Sequence, residues 1–115
     1  MIAKSILSTF YLLKNETNQL LTMKAIWKSQ LLAESDETLI VEGDHYFPQE
    51  SINKRFFQES DTNTICPWKG MATFFDINVN GDINIDAAWY YPKSSDFAKA
   101  IEGMIAFRKG VEIKQ

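Results

Sequence analysis

The sequence predicts a mainly β fold, a single compact domain of about eight short strands with small helices. Three observations carry this expectation. Short β-branched and aromatic runs recur at close spacing, parted by Gly, Pro, Asn and Ser. Asn80-Gly81 lies between two alternating stretches, and both residues tolerate the positive φ of a type I′ hairpin turn. Aromatics reach 13% of the chain, including eight Phe, and such side chains suit a pleated, half-buried surface.

Residues 1–22 differ from the remainder. Ile2, Ile6, Phe10, Leu13 and Leu20 recur at helical spacing, which predicts a helical extension docked on the domain or on a second subunit. A homodimer is therefore one expectation. The apolar run contains Ser8 and Thr9 and lacks a small-residue cleavage site, so it is not read as a signal peptide. It is also too short to span a membrane.

The β domain is taken as residues 23–115. Ala25 to Lys28 and Leu31 to Glu34 read as two strands around Ser29. Thr38 to Glu42 is a β-branched run broken by Gly43-Asp44, and His45-Tyr46-Phe47 follows, ended by Pro48. Glu50 to Phe57 reads as a helical turn and Ser60 to Thr64 as a polar loop. Lys69 to Val79 and Asp82 to Tyr91 are the arms of the Asn80-Gly81 hairpin, with Ile83, Ile85, Ala87 and Trp89 on one face. Ser94-Ser95-Asp96 reads as the N-cap of a short helix ended by Gly103. Met104 to Arg108 and Val111 to Ile113 read as a last hairpin across Lys109-Gly110.

Composition limits the function. A chain of 115 residues is one domain, and folding at this size buries roughly 65% of the unfolded surface. A net charge of −3 argues against nucleic acid as a partner, since phosphate contacts need a basic face. One Cys forms no internal disulfide, and a reducing, cytoplasmic setting is expected. One Cys and one His do not supply the four N or S ligands of a structural zinc site, so no metal is expected.

Three segments stand out: Val41-Glu42-Gly43-Asp44-His45-Tyr46-Phe47-Pro48, Cys66-Pro67-Trp68-Lys69-Gly70, and Asp86-Ala87-Ala88-Trp89-Tyr90-Tyr91-Pro92. In this order and spacing, over about residues 23 to 114, they resemble the family called domain of unknown function 427, also named nucleotidyltransferase-like. The resemblance implies an all-β domain of the β-tent kind, whose other members include zinc-binding modules, methionine sulfoxide reductases of the B type and aromatic ligand cages. It implies no particular reaction. Two departures are visible. Ser29 replaces a frequent turn glycine, which predicts a looser first hairpin. Arg108 replaces a frequent Trp before the final Lys-Gly, which predicts the loss of an aromatic contact there.

The chemistry of these segments supports three readings. The first is a small-molecule-binding domain with an aromatic-lined pocket. Trp68, Lys69 and Gly70 beside Trp89, Tyr90, Tyr91 and Tyr46 would give aromatic walls, a cation and open backbone, which suit a flat or anionic ligand. Trp89 and Tyr91 point one way along a strand and Tyr90 the other. The second reading is an enzyme. Cys66 needs a base or cation to become a thiolate, and His45 and Lys69 are the candidates. Glu42, His45 and Glu50 are an alternative relay. Nucleotidyl transfer would need Mg²⁺ on paired carboxylates and a phosphate loop. Asp82 and Asp86 are four apart, but no Gly-rich loop accompanies them. The third reading is a protein-interaction module, dimeric through residues 1–22.

Overall fold

The computed structural model describes residues 11–12 and 21–115. Among them the chain is mainly β. The strands are β1 (Tyr11–Leu12), β2 (Met23–Trp27), β3 (Gln30–Ser35), β4 (Leu39–Val41), β5 (Asp44–Tyr46), β6 (Phe57–Cys66), β7 (Gly70–Val79), β8 (Asp82–Tyr90), β9 (Ala106–Phe107) and β10 (Glu112–Lys114). They form three sheets, ordered β1-β4-β5, β10-β2-β3 and β6-β7-β8-β9. Described pairings are all antiparallel. The helix expected over residues 1–22 lies outside the described residues, apart from Tyr11–Leu12, which are extended and pair with Ile40 and Leu39.

Four two-residue turns have both residues at positive φ, as right-handed strand twist requires. They are Lys28-Ser29 (52° and 61°), Glu42-Gly43 (54° and 82°), Asn80-Gly81 (52° and 90°) and Lys109-Gly110 (56° and 86°). The first corrects an expectation. With Ser29 in place of glycine the hairpin is still tight, closed by the Trp27–Gln30 pair. Pairing along the whole of β2 and β3 holds Lys28 and Ser29 in a conformation that non-glycine residues rarely adopt.

Two apolar clusters stabilise the sheets. The first joins Met23, Ala25, Leu32 and Ala33 to Phe47, Ile77, Val79, Ala88, Ile105 and Phe107. The second gathers Val41, Tyr46, Ala72, Phe74, Tyr91, Ala98, Ile101 and Ala106. Consecutive strand residues point to opposite faces, so Phe74 serves the second cluster and Phe75 packs on the first. Tyr46 and Phe47 divide the same way, which binds the two cores at one point of the chain.

Several local expectations are corrected. Residues 60–64 are not a loop but the middle of β6. Their turn-forming side chains are tolerated because β6 is an edge strand, and its pairing with β7 is irregular between Glu59 and Asn63. The helical turn over 50–57 is two 3-10 turns, Gln49–Ser51 and Lys54–Phe56. Lys109-Gly110 is a tight turn, but β9 and β10 do not pair; β9 joins β8 and β10 joins β2. Ile83, Ile85, Ala87 and Trp89 do not share one face, because β8 bulges at Asp86, whose φ is 56°. Ile83 and Ile85 are therefore 55% and 60% exposed, while both Ala87 and Ala88 are buried. The helix after Ser95 is a 3-10 turn, Asp96–Ile101, and Ser95 does not cap it.

Candidate functional site

The site begins at the three-residue turn between β6 and β7, Pro67-Trp68-Lys69, closed by the Cys66–Gly70 pair. Gly70 has φ 113°, and a Cβ there would lie 3.0 Å from the Lys93 carbonyl oxygen. Only glycine allows both this backbone and this approach. The approach brings Ser95 onto the turn. Its N–H donates to the Lys69 carbonyl at 3.0 Å, and its hydroxyl donates to the Trp68 carbonyl. The expected capping hydroxyl is thus used to fasten the turn that carries Trp68 and Lys69.

Fastened in this way, Lys69 is only 6% exposed. Its Nζ lies 2.7 Å from Glu42 Oε1 and 5.4 Å and 5.5 Å from the Trp68 and Tyr91 ring centres. Glu42 reaches it from the β4–β5 turn. Burial alone pushes the ammonium down, yet the Glu42 hydrogen bond, with Tyr46, Tyr91 and the Glu42 charge, outweighs it and holds the lysine above its ordinary value. Tyr46, fully buried two residues past Asp44, accepts a hydrogen bond from Trp89 Nε1 at 3.3 Å and meets that ring edge-on at 6.2 Å. Burial pushes the Tyr46 hydroxyl up to about 12, against the pull of Lys69, so it is uncharged at pH 7. Asp44 is also raised, first by burial, with Lys69 opposing. The structure therefore brings together Glu42, Tyr46, Trp68, Lys69, Gly70, Trp89 and Tyr91.

Other candidates stand apart. Tyr90 points to the opposite face and stacks on Phe75, with ring centres 5.2 Å apart at 19°. Cys66 is half-buried against the second cluster and shares no hydrogen bond with His45 among the described residues. Glu50 lines an open cleft of about 690 Å³ with Glu37, Glu102 and Met104, while Glu42 is committed to Lys69. Asp86 is 9% exposed and accepts the Ser60 hydroxyl at 2.6 Å, and Asp76 accepts its N–H at 2.8 Å. These bonds make Asp86 the brace of the β8 bulge. Among the described residues no group of three or more His, Cys, Asp or Glu is placed to hold a metal ion.

His45 alternates with Asp44 and Tyr46 and so faces the other way, opposite Ile40. Its Nδ1 is buried and has no hydrogen-bond partner among the described residues. Burial lowers its pKa below the ordinary 6.5, and Asp44 opposes the shift. The unfolded chain therefore takes up this proton more readily than the folded one. Stability is fully present above about pH 6.5 and falls as the pH drops through the folded value. We expect the melting temperature to decline by a few degrees from pH 7 to 5, and His45→Gln to flatten that slope. An equal slope in folded His45→Gln would assign the decline to other groups.

Sequence reasoning missed one member of this neighbourhood. Arg108 lines a small cavity of about 160 Å³ together with Thr64, Ala72, Phe74, Trp89 and Tyr91. Its guanidinium carbon lies 4.9 Å from the Phe74 ring centre, and its Nε donates to the Asp86 carbonyl at 2.8 Å. The aromatic contact expected to vanish with Arg108 is thus kept in another form, cation against ring. A signal was present: Ala106 and Arg108 alternate, so Arg108 shares the face of a residue in the second cluster.

A family model described as Domain of unknown function (DUF427) matches residues 15–114. No match is found among curated proteins. Among the described residues no helix is long and apolar enough to cross a membrane.

Proposed function

The chain belongs to the family described as Domain of unknown function (DUF427), and from that premise we propose that it is a small-molecule-binding β domain with an aromatic-lined pocket. The observation that carries this reading is the cavity floored by Phe74, Trp89 and Tyr91. Large apolar side chains with a few convergent polar groups are the usual make-up of a ligand site. Trp89 is fixed from behind by its hydrogen bond to buried Tyr46, so its ring is ready before a ligand arrives. Tyr91 is fixed by the Lys69 ammonium over its face. The β-tent architecture belongs to the same proposal, and the three small antiparallel sheets support it.

The test is a thermal-shift panel of nucleotides with and without Mg²⁺, sugar phosphates, organic acids and nucleobases. A ligand at a hundred times its Kd adds about 2.7 kcal/mol, a shift of several degrees at this size. Trp89→Ala should then weaken the ligand found by roughly tenfold or more, the usual loss of a stacking ring, while remaining folded. Unchanged affinity in the folded variant would remove Trp89 from the site, and a shift seen only with nucleotide and Mg²⁺ would favour nucleotidyl transfer instead.

A further inference from the structure

We propose that the ligand of the Trp89–Tyr91 cavity is a single-ring aromatic carboxylate, held end-on by the two Nη groups of Arg108. This rests on the pocket reading above and adds the chemical class. Size comes first. A cavity of about 160 Å³ is well below the roughly 300–1,000 Å³ of sites that enclose drug-sized ligands. It has room for one ring and not for a nucleotide.

Charge comes second. Two cations border the aromatic floor, and they are not equivalent. Lys69 is satisfied by Glu42 at 2.7 Å and sits behind Tyr91. Arg108 has no carboxylate within ion-pairing distance among the described residues, although it is exposed and lines the cavity. Asp86 stands near, but its Oδ1 already accepts the Ser60 hydroxyl. Lys109 stands beside Asp86 as well, with its Nζ donating to the Ile85 carbonyl. Arg108 is thus the cation of this rim that no carboxylate pairs among the described residues, and it suits an anionic group on the ligand.

Geometry comes third. The Nε–H of Arg108 is bound to the Asp86 carbonyl and its plane is held near Phe74, so the guanidinium has a fixed position. What remains free among the described residues is the pair of Nη groups, a planar fork that matches the two oxygens of a carboxylate. Thr64 lines the same cavity and carries a hydroxyl able to donate. A ring attached to that carboxylate would lie over Trp89 and Tyr91.

The experiment uses benzoate and its uncharged isostere benzamide, with inorganic phosphate as the non-planar anion. Binding to the full chain is read by ligand-observed NMR and calorimetry. Benzoate is expected to bind at least tenfold more tightly than benzamide, and phosphate not to displace it. Arg108→Gln should abolish the preference for benzoate, and Arg108→Lys should restore only part of it, because an ammonium keeps the charge without the fork. Equal binding of benzoate and benzamide would overturn the carboxylate inference and leave the aromatic pocket standing. A benzoate preference that survives in Arg108→Gln, or tight phosphate binding at Arg108, would overturn it too. Binding of neither ring would defeat the inference and the pocket reading together. The comparison of benzoate with benzamide needs no variant, so it stands even if an Arg108 substitution disturbs the fold.

Discussion

Phe47→Ala is expected to cost about 3–5 kcal/mol, the usual range for a fully buried phenylalanine, and to lower the melting temperature by about 12–20 °C. Phe47 is 0% exposed and lies in the first cluster, where it meets the Phe107 ring edge-on at 5.6 Å and 81°. The surroundings are poorly able to collapse into the space. The Phe47 backbone exchanges two 2.8 Å hydrogen bonds with Ile105, which fixes the chain on both sides of the hole. Tyr46, the preceding residue, is anchored in the second cluster. A loss of this size is a large fraction of the roughly 5–15 kcal/mol by which domains are stable. Phe47→Leu keeps most of the volume and should lose about 1.5 kcal/mol or less. Urea unfolding of the two variants checks the pair. A Phe47→Ala midpoint as high as that of Phe47→Leu would mean that the cavity closes, and that the Ile105 bridge does not hold the backbone in place.

The features legible in the sequence were those set by neighbours along the chain. Asn80-Gly81 is a type I′ turn because both residues tolerate positive φ locally, and the two arms alternate as any half-buried strand does. Misread features were decided from far away. Ser60 to Thr64 carry turn chemistry, yet they are strand because β7 offers an edge and Asp86 takes the Ser60 hydroxyl across 26 residues. Asp86 itself looks like one more strand position, and its bulge depends on Asp76 accepting its N–H from the facing strand. The candidate site divides in the same manner. Trp68, Lys69, Trp89 and Tyr91 were visible as costly residues in short motifs. That Glu42 would meet Lys69, and that Ser95 would fasten the turn instead of capping a helix, follows from how the loops around residues 43 and 93 fold over the sheet. Arg108 stands in the sequence only as the replacement of an aromatic, yet a guanidinium also packs on a ring.

Glu42→Ala should be more harmful than removal of its partner. Lys69 is buried on the strength of one carboxylate, and without it the ammonium keeps only two ring faces more than 5 Å away. Losing a charge-assisted hydrogen bond and leaving the donor buried costs about 1.5–3 kcal/mol. Lys69→Met removes the same ion pair but also removes the charge that had to be desolvated, and Met fills a similar channel beside Trp68. It should stay within about 1 kcal/mol of the parent, since apolar replacements of buried charges are often neutral. Glu42 then loses little, because its side chain is 51% exposed and returns to water. The pH dependence adds a second readout. In the parent, Lys69 is held above its ordinary 10.5, so its contribution is present below that pH and is lost as the pH rises through the folded value. In Glu42→Ala the hydrogen bond that chiefly opposes burial is gone, and Tyr46, uncharged at pH 7, does not replace it, so the folded chain takes up the proton less readily and the variant's deficit shrinks as the pH rises toward 10.5. Chemical denaturation at pH 7 and pH 10 distinguishes the cases. If Lys69→Met proves the more damaging variant at pH 7, the lysine contributes by packing its stem on Trp68 and Tyr91, and the ion pair is secondary. If Glu42→Ala is the more damaging and recovers with pH, the buried ammonium is what Glu42 is there to neutralise.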